Sequence, residues 1–445
     1  MGTTHMRRLL YLAWIALAPC LRSQVPSEFT TLYASIQSRL NGYLSSMQVP
    51  ASNPATLIGA EASPADSYMA ILGGAYYSSS VTPYLNALQS LGVRVVKFQI
   101  GFPLLYQPFY SGFLGQPDYH DYNVRLSFYQ QLVADLHARG IKVVIQSVIT
   151  PATGGTYTGD PLNLTTYFQS IDLNTYIAGR AANCLTVAQQ LMPDYINVES
   201  EPDTEPTKAY RPELNDPATN LSMVQTILAT LDNGGISGLH TTLLVAAGMG
   251  TWQANLTTFL TNYVGLPSLD VFDIHVHPIN LISGADYLSR ILTMSDAATA
   301  AGKKIGMDED WMDKDSNSEI GALDAATIAS RNVWSFWAPL DQLFIQAMMG
   351  SAYLKHMAYL SFSVPDAFFA YIDYANTPGC PTPPSTVCTA AQWNTAETSA
   401  VNLALASQPV PLTSTGVAFR DALRAQALTV SVTGMVSLRG RATFH

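Results

Sequence analysis

Eight short apolar runs alternate along the 445-residue chain with amphipathic helical stretches, and several of those stretches end in Gly just before the next run. No compositional boundary divides residues 51–410. Together these observations predict an α/β protein built as a single (β/α)8 TIM barrel, with long loops after strands 2 and 8. The competing class is a doubly wound sheet. It favours a Gly-rich phosphate loop after the first strand, whereas here the first run leads into EASPADSYMAILGG and GxGxxG is absent.

The elements follow in order. Arg7 and Arg8 precede an apolar stretch from Leu9 to Leu21, too short to span a bilayer, so residues 1–23 read as a secretory signal peptide. That places the protein outside the cytoplasm, secreted or periplasmic. A buried amino-terminal helix is the plainer alternative, and Leu17-Ala18-Pro19-Cys20 leaves lipidation at Cys20 as a variant of the export reading. No later segment reaches ~18 unbroken apolar residues, so no stable membrane insertion is expected once the signal is removed. Residues 24–50 form a helical extension on the barrel. The strands are expected at ATLIGAEA (55–62), VRVVKFQIGF (93–102), KVVIQSVI (142–149), YINVESEP (195–202), TLLVAAGMG (242–250), VFDIHVHP (271–278), KKIGMDED (303–310) and AYLSFSV (358–364). Residues 411–445 read as a helix, VAFRDALRAQAL, and a short β-like tail packed on the barrel.

Composition narrows the partners. Charged residues make up 12% of the chain, about half the usual ~25%, and the net charge is −10. An acidic chain with no basic run is unsuited to nucleic acid or an anionic membrane. Its surface of Ser, Thr, Asn, Gln and Tyr suits a neutral polar ligand. Cys380 and Cys388 bracket a Pro-rich loop and are expected to pair as a disulfide in an oxidising compartment, whereas Cys184 sits in a helical stretch as a buried free thiol. No CxxC pair is present, which argues against a zinc ribbon or redox dithiol.

The strand-2 loop carries Tyr106, Phe109, Tyr110, Phe113, Tyr119 and Tyr122. Such aromatics stack on sugar rings or pack a loop onto its barrel, and the sequence weighs the two readings evenly. Trp334 and Trp337 lie in a helical stretch and are expected in the core. Asn163, Asn220 and Asn255 begin N-x-S/T triplets, which matter only in a host that glycosylates.

Two glutamates carry the chemistry. Strand side chains alternate, so Asn197, Glu199 and Glu201 are expected on one face of strand 4, with Glu201 at its end before Pro202. On strand 7, Met307, Glu309 and Trp311 are expected to share a face. Glu201 and Glu309 would then meet across the mouth. A carboxyl pair so placed suits cleavage of a glycosidic bond. One protonated member assists the departing oxygen, and one ionised member attacks or stabilises the anomeric carbon. Glu199 is the rival to Glu201, and a one-residue slip would substitute Asp308 or Asp310 for Glu309.

With these residues in view, the sequence resembles the retaining glycoside hydrolases of clan A. Glu201-Pro202 is similar to the Glu-Pro of that group's Asn-Glu-Pro motif, Glu309 to its strand-7 nucleophile, and Asp273-Ile274-His275-Val276-His277-Pro278 to its strand-6 segment. The resemblance implies Glu201 as acid/base, Glu309 as nucleophile, His275 lining the sugar subsite and His277 in place of the Tyr that touches the nucleophile. The chain departs from the pattern at Ser200, where Asn is usual, at Ser361-Phe362-Ser363, where a Trp is usual, and at Lys97 and Gln99, which stand near the usual strand-2 Arg. The implied activity is hydrolysis of a neutral β-linked oligo- or polysaccharide with retention, by a monomer needing no cofactor and no metal. Trp311 would serve as a sugar platform, with Trp252 and Trp393 as lesser claimants. Glu61, Gln99, Gln146, Ser200 and Tyr106 would bind hydroxyls or satisfy the barrel interior. Two alternatives remain open. One is a non-catalytic carbohydrate-binding barrel. The other is a metal-dependent hydrolase using His275 and His277, with oxygens from Asp273, Asp308 and Asp310.

Overall fold

The computed structural model describes residues 25–48, 50, 52–66, 76–150, 160, 162–276, 287–310, 334–363, 365–376 and 390–439. Eight parallel strands close a barrel in sequence order: β1 (Leu57–Glu61), β2 (Val95–Gln99), β3 (Lys142–Gln146), β4 (Tyr195–Asn197), β5 (Leu244–Gly250), β6 (Val271–Val276), β7 (Lys304–Asp310) and β8 (Tyr359–Phe362). The expected barrel is therefore present, and all eight apolar runs supply its strands. Their period-2 alternation sorts the side chains into two layers. Val95, Val144, Leu244, Ala246, Val271 and Tyr359 fill the barrel floor. Ile58, Val96, Ile145, Ile196, Val245, Phe272, Ile305 and Leu360 face the surrounding helices.

Those helices are α1 (Thr30–Ser46), α2 (Thr82–Leu91), α3 (His120–Ala138), α4 (Leu164–Ser170), α5 (Leu173–Leu191), α6 (Glu205–Lys208), α7 (Pro217–Asp232), α8 (Leu256–Val264), α9 (Tyr287–Ala300), α10 (Ala338–Leu354), α11 (Ala390–Ala406) and α12 (Ser414–Arg439). The expected Gly stops after α2, α3 and α9 are Gly92, Gly140 and Gly302, all left-handed. Helix α1 packs on α10, where the Tyr43 hydroxyl meets Ser351 Oγ at 2.8 Å. Trp334 and Trp337 are fully buried as expected, but they precede α10 rather than lying within it. The β-like tail is corrected: residues 429–439 continue α12. A closed barrel offers no free edge to a further strand, and β-branched residues cost a helix only tenths of a kcal/mol each. Cys184 is a buried free thiol. The amino-terminal segment, Cys20, Cys380 and Cys388 lie outside the described residues.

Two irregularities position the barrel mouth. Against β6, the β7 register moves from Asp273↔Gly306 to His275↔Glu309, two residues facing three. Against β8 it moves from Met307↔Leu360 to Asp310↔Phe362, again with the surplus on β7. One extra residue is therefore bulged into β7 between Met307 and Glu309. The end of β4 slips likewise. Val198 N–H bonds to Ala246 O, but Gly248 N–H then reaches the carbonyl of Glu199 rather than that of Val198.

These slips correct both same-face expectations. Met307 packs in the outer apolar layer, while Asp308 and Glu309 both turn toward His275. The Glu199 carboxyl leaves the axis for the helical layer, near Asn220 and Glu205, while Ser200 and Glu201 face inward. A bulge exchanges faces by one residue, and alternation read from sequence assumes that none occurs.

Candidate active site

Glu201, His275 and Glu309 converge at the carboxyl ends of β4, β6 and β7. One oxygen of each carboxylate and one nitrogen of the imidazole all lie within 4.8 Å of one another. His275 Nδ1 is 2.9 Å from Glu201 Oε1 and 3.8 Å from Glu309 Oε2. Its Nε2 is 2.7 Å from Asp308 Oδ1. The two glutamates keep 18% and 20% of their side-chain surface open, whereas His275 has none. The ring is thus a buried strut beneath two accessible carboxylates.

The second support is Lys97. Its ammonium lies 3.2 Å from Glu61 Oε1 and 3.6 Å from Glu309 Oε2, on a side chain only 3% exposed. Gln146 is the hub of the floor, with its amide nitrogen within 3.5 Å of Ser200 Oγ, Asp308 Oδ1 and Glu309 Oε2. Asn197 fixes the other Asp308 oxygen at 2.9 Å. Lys97, Gln146, Asn197 and Asp308 thus each face a polar partner in this layer, as burial requires.

The electrostatics follow from burial and neighbours. Burial disfavours charge on His275, but Glu309, Asp308 and Glu201 outweigh it and hold the imidazole well above its usual range. It is therefore an imidazolium that donates from both nitrogens. Burial opposes the charge of Lys97 as well, and Glu61 and Glu309 overcome it. For Glu61, burial is outweighed by Lys97, which draws the carboxyl below its usual range. Asp66 is pushed well up by burial and by Glu61, so that pair holds one proton. Burial and Asp308 likewise keep Asp273 protonated, and it accepts a short hydrogen bond from the Tyr359 hydroxyl.

A clamp lies behind Glu201. The Arg180 guanidinium, fully buried, pairs with Glu205 and donates to the carbonyls of Ser147, Val148 and Val198. Burial and Glu205 push the Glu199 carboxyl well above the usual range, so it stays protonated against Glu205. Glu199 Oε1 accepts the backbone N–H groups of Ser200 and Glu201 at 3.0 and 3.1 Å. The rival glutamate thus holds the backbone of Glu201, bordering the cleft as a fully buried side chain rather than an accessible carboxylate.

The described residues leave a cleft of about 150 Å³ lined by Gln99, Gln146, Ser200, Glu201 and Glu309 among others. A larger groove of about 1160 Å³ runs beside Tyr33, Phe336 and Leu403, and no acid, base or histidine lines it among the described residues. Of the residues singled out by sequence, Glu201, Glu309, His275, Gln146 and Ser200 come together. Glu61 joins them through Lys97, and Gln99 lines the cleft with its amide tied to Ile149 O. Tyr106 does not join; its ring packs 5.4 Å from Phe102, and Phe109, Tyr110 and Tyr122 are themselves buried, so these four aromatics serve packing. His275 is buried under the carboxylates rather than exposed along a sugar subsite. His277 and Trp311 lie outside the described residues. Sequence reasoning missed the parts of Lys97, Asp308, Asn197 and Asp66. Lys97 carried a signal, a lone cation at an inward position of an apolar strand. Asp66, in a loop, carried none.

Among the described residues, two donor sets offer cation ligands: Glu201, His275 and Glu309, and Asp273, His275 and Asp308. Both depend on His275, whose nitrogens are already engaged by Glu201 and Asp308. The imidazolium and the Lys97 ammonium already neutralise the carboxylates a metal would need, so these residues do not fit a metal well.

Fold and site together define a (β/α)8 barrel with a paired carboxylate centre at the mouth where such barrels place their chemistry. The fold is also that of a solved glycoside hydrolase. The exo-beta-1,4-mannosidase Op5Man5 from Opitutaceae bacterium strain TAV5 superposes with a TM-score of 0.52 at 16% identity, over 83% of this chain and 59% of that one. This chain thus spans less than two thirds of that protein's length. A glycoside hydrolase family 5 mannosidase from Rhizomucor miehei gives 0.48 at 12% identity, over 84% and 93% of the two chains. GH5_18 from Streptomyces cattleya, solved in complex with GlcNAc, gives 0.49 at 12%, over 84% and 80%. At these identities the likeness is one of fold. No protein-family model matches the chain, and no curated protein matches it by sequence.

Proposed function

We propose that this protein is a retaining glycoside hydrolase acting on a neutral β-linked oligo- or polysaccharide. The observation that carries the reading is the pair of accessible carboxylates, Glu201 and Glu309, with oxygens within 4.8 Å across the mouth. Carboxyl groups about 5–5.5 Å apart leave no room for a water between nucleophile and sugar, and direct attack follows. In the first step a Glu309 oxygen bonds to the anomeric carbon, the glycosidic C–O bond breaks, and Glu201 gives its proton to the departing oxygen. In the second, Glu201 takes a proton from water, the water oxygen bonds to the anomeric carbon, and the bond to Glu309 breaks. The Lys97 ammonium, 3.6 Å from Glu309 and not paired with Glu201, favours the ionised form of Glu309. The mannosidase neighbour makes β-mannosides the first substrates to try, and the amino-terminal pattern supports action outside the cytoplasm.

The test is release of reducing ends from neutral glycans and β-glycosides, with product anomers followed by NMR. The wild type is expected to give the β-anomer first, unaffected by chelator. Glu309→Gln is expected to lose several orders of magnitude in kcat. Initial release of the α-anomer, or full activity in that variant, overturns the mechanism. Saccharide binding without turnover would favour the non-catalytic barrel.

A further inference from the structure

Beside Glu201, over the β4–β5 sector, stands a polar and aromatic pair that the proposed chemistry does not use. Trp252 follows β5 on a turn pinned from three sides. Gln253 N–H bonds to Gly250 O, Thr251 N–H bonds to His275 O, and the Arg290 guanidinium donates to Thr251 O at 2.8 Å. The indole lies against Gly250 so closely that a Cβ there would come within 2.4 Å of a ring carbon. Only glycine allows the ring to lie flat on the strand end. The indole stands beside the carboxyl of Asp203, two residues beyond Glu201. Asp203 is itself held in a tight turn, since Thr204 and Glu205 N–H both bond to Glu201 O. Its Oδ1 is buried and has no hydrogen-bond partner among the described residues. An unspent acceptor in a fixed setting needs a partner that arrives from outside.

The pair has the two recognition elements of a pyranose. An aromatic face suits the ring's apolar C–H face, and a carboxyl oxygen suits its hydroxyl rim. Position decides which sugar. Glu201 is the proposed proton donor to the departing oxygen, so the sugar leaving with that oxygen lies on its side of the cleft. Glu201 is also the charge that acts most strongly on Asp203. We infer that Trp252 and Asp203 form the subsite for the leaving-group sugar, with the indole under its C–H face and Asp203 Oδ1 accepting from one of its hydroxyls. The inference rests on the hydrolase reading and on Glu201 as its acid.

The test compares two substrates with the same glycone: a β-linked oligosaccharide, whose leaving group is a sugar, and the β-glycosyl fluoride, whose leaving group is too small to reach the pair. For Trp252→Ala, kcat/KM is expected to fall roughly 10- to 100-fold further on the oligosaccharide than on the fluoride. Asp203→Asn is expected to show a smaller loss of the same selectivity, and Trp252→Phe to recover most of what alanine loses. Fluoride hydrolysis reports folding and the integrity of Glu309, since fluoride departs with little help from an acid, and an unchanged pH profile of kcat/KM on the oligosaccharide in Trp252→Ala reports Glu201. Equal losses on both substrates overturn the subsite and leave a structural role. No loss on either overturns it as well. A wild type silent on both substrates overturns the hydrolase reading and the subsite with it.

Discussion

Arg180 shows how much one buried side chain can organise. It sits on α5, outside the barrel, and its guanidinium ties the ends of β3 and β4 to Glu205. Burial would lower its basicity, but Glu205 more than restores it, so the guanidinium stays charged. Removing one member of such a pair leaves the other charged and unsolvated. Arg180→Leu is therefore expected to cost about 3–5 kcal/mol, read as a lower midpoint in urea, whereas an unchanged midpoint would contradict the clamp. At this scale the sequence was informative where a residue type was improbable in its setting. Glu201 and Glu309 at strand ends stood out, whereas Lys97 within an apolar run offered the same kind of signal and was passed over. Glu199 stood out equally and misled, because its partners Glu205, Arg180 and Asn220 are distant in sequence or in helical stretches that alternation does not address.

At the scale of elements, the strands are found where the apolar runs lie, but their last residues do not keep the expected phase. The slip at the end of β4 depends on Gly248, which donates to Glu199 O and has no space for a side chain: a Cβ there would stand 1.8 Å from Asp273 O. Gly248→Ala must push β5 from β6 and is expected to destabilise by roughly 1–3 kcal/mol. Gly42, inside α1 with nothing near its Cβ position, supplies the contrast. Gly42→Ala is expected to stabilise by up to about 1 kcal/mol. Thermal unfolding of the two variants checks both, and like signs would contradict the packing described here.

For the whole molecule, buried acids govern the response to pH. Asp66, Glu199, Asp273, Asp310 and Asp366 all have carboxyls raised chiefly by burial. Each keeps a proton in the folded state that the unfolded chain releases above about pH 4, so each contribution falls as pH rises past that point. His275, also raised, contributes fully below its unfolded value near 6.5 and loses that contribution as pH climbs through its higher folded value. Glu61 runs the other way: its lowered carboxyl contributes above its unfolded value and loses that contribution as pH falls through its folded one. Among the described residues these raised acids outnumber the lowered Glu61, Asp172 and Asp232, so the unfolding midpoint is expected to be higher near pH 5 than near pH 8. A midpoint rising steadily over that interval would contradict this balance.

The period of the apolar pattern determined the barrel. Strand order, helix stops and the core follow from local alternation, capping and the need to bury a face, and all three are written in neighbouring residues. The pair Glu201 and Glu309 was legible for the same reason, since a strand's end in a barrel is a place in space. Tertiary structure alone decided that Glu199 turns outward, that Asp308 points inward beside Glu309, and that His275 lies beneath the carboxylates. It also decided that Trp252 meets Asp203. Each of these turns on a one-residue bulge or on a contact between segments far apart in the chain, and the free energy that selects them comes from partners absent from the local sequence.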